Sequence, residues 1–187
     1  NDVLFKFVMG KEERKGLLID FLNAVLDRKG AESIRDLQYL SSEMIPPFTG
    51  EKVTRLDILC MIENGTQIDI EVQVVDRHNM DRRAEYYACQ MFIGSIKRGE
   101  TYQKVKPVMV ISILSYIMEP EEPVHSMYGL YNPETLHRLN QDLELHFLQI
   151  PKLQLKPISQ MTRMERWLAY FSRKLDKKEL KELAMTE

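Results

Sequence analysis

The sequence predicts an α/β protein, a mixed β-sheet with helices on its faces, and three observations predict it. Residues 107–114, PVMVISIL, form a near-continuous apolar run, the pattern of a strand buried on both faces between helices. Residues 55–74, RLDILCMIENGTQIDIEVQV, hold two strand-forming runs about the turn signal Asn64-Gly65. Stretches with helical apolar spacing stand before and after that hairpin, and the order helix, hairpin, helix, buried strand describes a mixed sheet.

The elements follow in chain order. Leu17, Leu18, Phe21, Leu22, Val25 and Leu26 recur at helical spacing and give an amphipathic helix over about residues 11–28. Residues 30–50 are mixed and contain the breaker Pro46-Pro47. After the hairpin, Ala84, Tyr87, Ala88, Met91 and Phe92 mark a helix over 80–98, with Gly99 as its stop. Weaker strand signals lie at 125–131 and 143–150. Residues 161–174 and a charged tail read as helical, and Trp167 belongs to helix packing. A boundary near Pro151 divides a main domain, 1–150, from a C-terminal helical extension, 151–187. The start at Asn1 and the interrupted tail KLDKKELKELAMTE read as a piece cut from a longer chain.

The hairpin admits two registers. A two-residue type I′ loop pairs Ile62 with Gln67 and Ile58 with Glu71, setting apolar residues opposite polar ones along the ladder. A three-residue loop puts Glu63 and Asn64 in a type I turn and Gly65 in the left-handed bulge position. It pairs Ile62 with Thr66, Cys60 with Ile68, Ile58 with Ile70 and Leu56 with Val72, so that one face is almost wholly apolar. The second register is the coherent one. It sets Asp57 opposite Glu71, roughly 5 Å apart at Cβ, with Gln73 as diagonal neighbour.

Opposed carboxylates repel unless a positive charge lies between them, and hard oxygen ligands suit magnesium or manganese. Polar alternation on an antiparallel sheet is ordinary, so by the residues alone a solvated face containing Asp57, Glu71, Asp69 and Gln67 explains the pattern as well. Arg83, Tyr87 and Gln90 share one face of the next helix.

Composition sets the outer limits. A chain of 187 residues with 44% hydrophobic and 29% charged residues can bury one full core and a small appendage. No run approaches the roughly 18 apolar residues of a membrane span, and no signal peptide opens the chain, which reads as cytoplasmic. Cys60 and Cys89 sit in apolar runs without CxxC spacing and read as buried, reduced thiols. The four histidines, 78, 125, 137 and 146, have no metal-binding spacing and read as structural or surface residues. The formal charge of −2 gives no sign of a nucleic-acid partner, and basic residues gather only locally, at 82–83, 97–106 and 152–181.

Four segments, FKFVMG with LLIDFLNAVL, RLDI, IEVQ, and RRAEYYACQMF followed by GETYQKVKPVMVISIL, resemble the PD-(D/E)XK nuclease superfamily. The likeness is to its transposase-like branch, the recombination-promoting nucleases, and spans roughly residues 5–115. HSMYGLYN and LELHFLQI extend it more weakly. The resemblance implies a restriction-endonuclease-like fold and a Mg2+- or Mn2+-dependent DNA endonuclease linked to recombination or mobile elements. Asp57 matches the metal-binding aspartate and Glu71 the second acid. Gln73 stands where the general pattern has lysine, a departure that replaces a positive charge with an amide dipole, although the related branch tends to carry glutamine there.

The resemblance also casts Arg83 and Tyr87 as nucleic-acid contacts, and Gln90 joins them by its place on the same helix face. Glu13 or Asp20 of the first helix would complete the metal shell, and Arg83 would supply the missing positive charge. Cutting both strands would require a homodimer. The alternatives are a nuclease-fold module that binds nucleic acid or assembles without cutting, and an interaction domain with no nucleic-acid role.

Overall fold

The computed structural model describes residues 2–44 and 54–184. The Pro46-Pro47 breaker lies outside the described residues. Six strands form one sheet: β1 (Leu37–Tyr39), β4 (Ile58–Ile62), β5 (Gln67–Gln73), β6 (Val108–Leu114), β7 (His125–Tyr128) and β8 (Leu143–Gln149). Their order is β1-β4-β5-β6-β8-β7, with β5, β6 and β8 parallel and the remaining pairs antiparallel. Two short strands, β2 (Glu43–Met44) and β3 (Thr54–Arg55), pair separately.

β6 is the apolar run at 107–114. All seven of its residues are buried, with parallel partners on both sides, as expected for a strand covered by helices on both faces. On one face, Ile58, Cys60, Ile62, Ile68, Ile70, Val72, Met109, Ile111 and Ile113 join the larger core. They meet Phe5 and Met9 of α1 (Asp2–Met9), Leu18, Phe21, Leu22 and Val25 of α2 (Lys15–Val25), and Leu168 and Ala169 of α4 (Arg163–Ser172). On the other face, Leu59, Val108, Val110, Leu145 and Phe147 meet Ala84, Ala88 and Met91 of α3 (Met80–Gly94). Each fully buried Leu, Ile, Val, Phe or Met contributes about 1.5–3 kcal/mol.

The first helical region breaks in two at Gly10. A Cβ there would stand 2.7 Å from the Lys6 carbonyl oxygen, which accepts the Gly10 N–H at 2.9 Å. Only glycine tolerates that approach, so α1 ends and a 3₁₀ turn at Glu12–Arg14 leads into α2. The helix expected over 80–98 stops at Gly94, ahead of Gly99; Ser95 caps it by donating its hydroxyl to the Phe92 carbonyl at 2.7 Å.

Leu153, Ile158, Met161 and Leu175 enter the same core as the sheet. Trp167 stacks on Phe171, centroids 5.8 Å apart, and meets Phe21 edge-on at 6.0 Å. α4 starts with a capping box between Thr162 and Glu165, and the charged tail supplies α5 (Lys177–Ala184). Cys60 is buried. Cys89, expected to be buried, lies on the exposed side of α3, because Ala88 and Met91 take the inward positions.

Candidate active site

The hairpin takes the three-residue register. Ile58 pairs with Ile70 and Cys60 with Ile68, and the Ile62 N–H donates to the Thr66 carbonyl at 3.0 Å. Gly65 has φ +85° and donates to the Ile62 carbonyl at 2.9 Å, while Glu63 and Asn64 keep negative φ. A type I′ loop would need positive φ at both central residues.

Beyond Ile58 the strands part, so the expected pair of Leu56 with Val72 does not form: the Leu56 N–H turns to the Ser42 carbonyl at 2.9 Å, and Leu56 packs on the α3 side while Val72 enters the larger core. Two main-chain donors are left over, and the acids take them. The Asp57 N–H donates to Glu71 Oε1 and the Val72 N–H to Asp57 Oδ2, both at 2.9 Å. The two carboxylates are thereby held together at the point where the sheet opens.

Cations surround this pair from two other elements. Lys6 of α1 places its ammonium 2.6 Å from Asp57 Oδ1. Arg83 of α3 donates to Gln73 Oε1 at 2.9 Å, to Glu71 Oε2 at 3.3 Å and to the Tyr87 hydroxyl at 3.1–3.2 Å. Gln73 donates its amide to Glu71 Oε2 at 3.1 Å, so it ties Arg83 to Glu71. Asp57, Gln73, Arg83 and Tyr87 line a cavity of about 940 Å³ together with Val72, Val74, Val75, Arg77, Asn79 and Arg173.

Two acids in this group resist ionisation. Glu71 is 1% exposed. Burial, and then the Asp57 charge, push its carboxyl up to about 7, against the Asp57 N–H, Arg83 and Lys6. Asp69, two residues earlier on the same side of β5, is fully buried and neither carboxylate oxygen has a hydrogen-bond partner. Burial first, then the charges of Glu71 and Asp57, raise it well above the usual carboxylate range.

The donors suit a hard divalent ion of the magnesium type: two adjoining carboxylates, with the Gln73 amide oxygen beside them. Among the described residues no group of three or more His, Cys, Asp or Glu side chains is placed to hold a metal ion. The site therefore fits an ion that takes two protein carboxylates and completes its shell with water and phosphate oxygens.

Several expectations are corrected. Asp20 does not turn to the acids; it accepts from Trp167 Nε1 at 2.7 Å and pairs with Arg163, which fastens α2 to α4. Glu13 lies exposed in the 3₁₀ turn. Gln90, expected as a nucleic-acid contact beside Arg83 and Tyr87, donates its amide to the Tyr86 hydroxyl at 3.0 Å and keeps its Oε1 buried without a partner, which leaves that expectation open. The face bearing Asp69 is covered by α3 rather than solvated.

The sequence reading missed Lys6 and Asp69; the histidines, read as structural or surface residues, include one part-buried pair. His125 Nε2 lies 3.0 Å from His146 Nδ1, while His146 Nε2 lies 3.1 Å from Glu144 Oε2. A lysine one helical turn inside the N-terminal element was the available signal for Lys6. For Asp69 it was the strand alternation that also carries Glu71 and Gln73.

Among known protein families, the chain matches the model described as PD-(D/E)XK nuclease family transposase over residues 1–187, the whole chain. No curated protein and no solved structure matches it. No helix among the described residues is long and apolar enough to cross a membrane.

Proposed function

The chain belongs to the PD-(D/E)XK nuclease family transposases, and from that premise we propose that it is a metal-dependent DNA endonuclease that hydrolyses phosphodiester bonds in the service of recombination or mobile-element activity. The observation that carries the proposal is the pairing of Asp57, which lines the cavity, with the buried Glu71 beside it: the Asp57 N–H donates to Glu71 Oε1, and the Val72 N–H to Asp57 Oδ2.

In this reading Asp57 and Glu71 hold Mg2+ or Mn2+, with Asp57 exchanging its Lys6 partner for the ion. The ion, when bound, polarises the phosphodiester and lowers the pKa of an attacking water. Gln73 keeps Arg83 and Glu71 in register, and its second amide hydrogen remains to orient that water. Arg83, with Tyr87 against it, supplies positive charge where charge develops on the phosphate. Lys6 and Arg83 together offset the lysine that Gln73 replaces.

Asp57→Asn is expected to abolish metal-stimulated plasmid nicking while leaving the circular-dichroism spectrum and Tm unchanged. Undiminished nicking by the purified variant refutes the assignment.

A second reading, a nuclease-fold module that binds nucleic acid without cutting, draws on one observation: every oxygen of Asp57 and Glu71 already has a protein partner. Manganese binding without any nicking by the wild type would favour it.

A further inference from the structure

The cavity in front of Asp57 holds two guanidinium groups that the site chemistry leaves unused. Arg77 follows β5 and Arg173 follows α4; both are exposed, both line the cavity, and neither has an ion-pair or hydrogen-bond partner for its side chain among the described residues. Their neighbours differ: Lys6 is engaged by Asp57, and Arg83 by Glu71, Gln73 and Tyr87. Beside two carboxylates, an uncommitted arginine is well placed for a ligand that brings its own negative charge.

The backbone at Arg173 strengthens the case. It has φ +57° and ψ +24°, a left-handed conformation at the end of α4 where glycine is the usual occupant. The segment is held there by buried residues on both sides, Leu168 and Ala169 before it and Leu175 after it. The Ser172 hydroxyl donates to the Ala169 carbonyl at 2.7 Å and accepts the Lys174 N–H at 3.2 Å. Arg173 also borders a small crevice with Val72, Ile113 and Phe171, which seats it against the end of β5. An arginine kept in a strained position on a pinned turn is an outlier from which function can be inferred.

We propose that Arg173 and Arg77 bind backbone phosphates of the DNA strand next to the scissile one, so that the segment after α4 is part of the nucleic-acid-binding face. Arg83, with the ion that the acids would hold, meets the reacting phosphate, and the two arginines fix the register of the strand across the cavity. Such contacts position DNA without reading its sequence. The proposal rests on the nuclease reading above.

The test is salt-dependent binding of a short DNA duplex, followed by fluorescence anisotropy in EDTA, for wild type, Arg173→Gly, Arg173→Lys and Arg77→Gln. Glycine relieves the left-handed strain as it removes the charge, so Arg173→Gly is expected to keep or raise the Tm. Its slope of log affinity against log salt is expected to fall by about 0.9, the loss of one phosphate contact, equally for duplexes of different sequence. Arg77→Gln is expected to behave alike, and Arg173→Lys to keep the wild-type slope. Wild-type binding with an unchanged slope in Arg173→Gly and Arg77→Gln overturns this inference alone. Absence of any salt-sensitive binding by the wild type overturns it together with the nuclease reading.

Discussion

Two buried polar clusters lie on opposite faces of the same sheet, and they are built to opposite rules. On β5, Ile68, Ile70 and Val72 enter the larger core, so Asp69, Glu71 and Gln73 face α3. On β8, Leu145 and Phe147 face α3, so Glu144 and His146 face the other way. The β8 cluster is closed: Arg138 pairs with Glu144 Oε1, His146 takes Oε2, and His125 stacks on His146. Burial works against ionisation of Glu144, but the bonds from His146 and Arg138 outweigh it and hold its carboxyl below the usual range. The β5 cluster has three acids, Asp57, Asp69 and Glu71, against Lys6 and Arg83, and two of the acids are pushed upward. Balanced charge reads as structure; surplus acid behind the wall of a cavity that Asp57 lines reads as a site awaiting a cation.

The comparison is sharpened first by removing one partner from the closed cluster. Arg138→Leu leaves Glu144 buried without its guanidinium, at an expected cost of about 3 kcal/mol, the low end for a broken buried pair. Urea unfolding measures it, and a loss too small to detect would mean the cluster is not closed in the sense argued here. The opposite sign is expected on the other face. Asp69→Leu replaces an unpartnered buried carboxyl with an apolar side chain and is expected to stabilise by about 1–3 kcal/mol. A destabilised variant would show that Asp69 has a partner.

The clusters also respond to pH in opposite directions. Glu71 ionises at 4.5 in the unfolded chain but at about 7 in the fold, so its contribution to stability is complete below pH 4.5 and is lost as pH rises through 7. His125 takes its proton at 6.5 unfolded but only near 4 folded, held down by burial and by the charge of His146. Its contribution is complete above pH 6.5 and is lost as pH falls through 4. Unfolding midpoints between pH 4 and 7.5 are expected to lose their alkaline decline in Glu71→Gln and to flatten on the acid side in His125→Asn. Identical profiles in wild type and both variants would break the comparison.

Much of the fold was legible because burial imposes a pattern. Only one hairpin register put Ile58, Cys60, Ile62, Ile68, Ile70 and Val72 on a common side, and it brought Asp57 to Glu71. β6 was legible for the same reason. Pairings made at a distance were not. Lys6 reaches Asp57 across 51 positions, and Asp20 reaches Trp167 across 147; no local spacing encodes either. Asp69 was misread because alternation fixes which side of a strand a residue takes and says nothing of what covers that side. Here Ala84 and Ala88 bring α3 down onto it. Of the three residues on that helix face, Arg83 is bonded to Glu71 and Tyr87 to Arg83, while Gln90 lies two turns beyond Arg83.

The most direct test of the surplus-acid account is calorimetric titration of manganese at pH 7 into wild type, Asp57→Asn, Glu71→Gln and His125→Asn. The account predicts binding by the wild type, weakened at least about tenfold (1.4 kcal/mol) in each acid variant and unchanged in His125→Asn. Binding that survives in both acid variants, or none in the wild type, would contradict it.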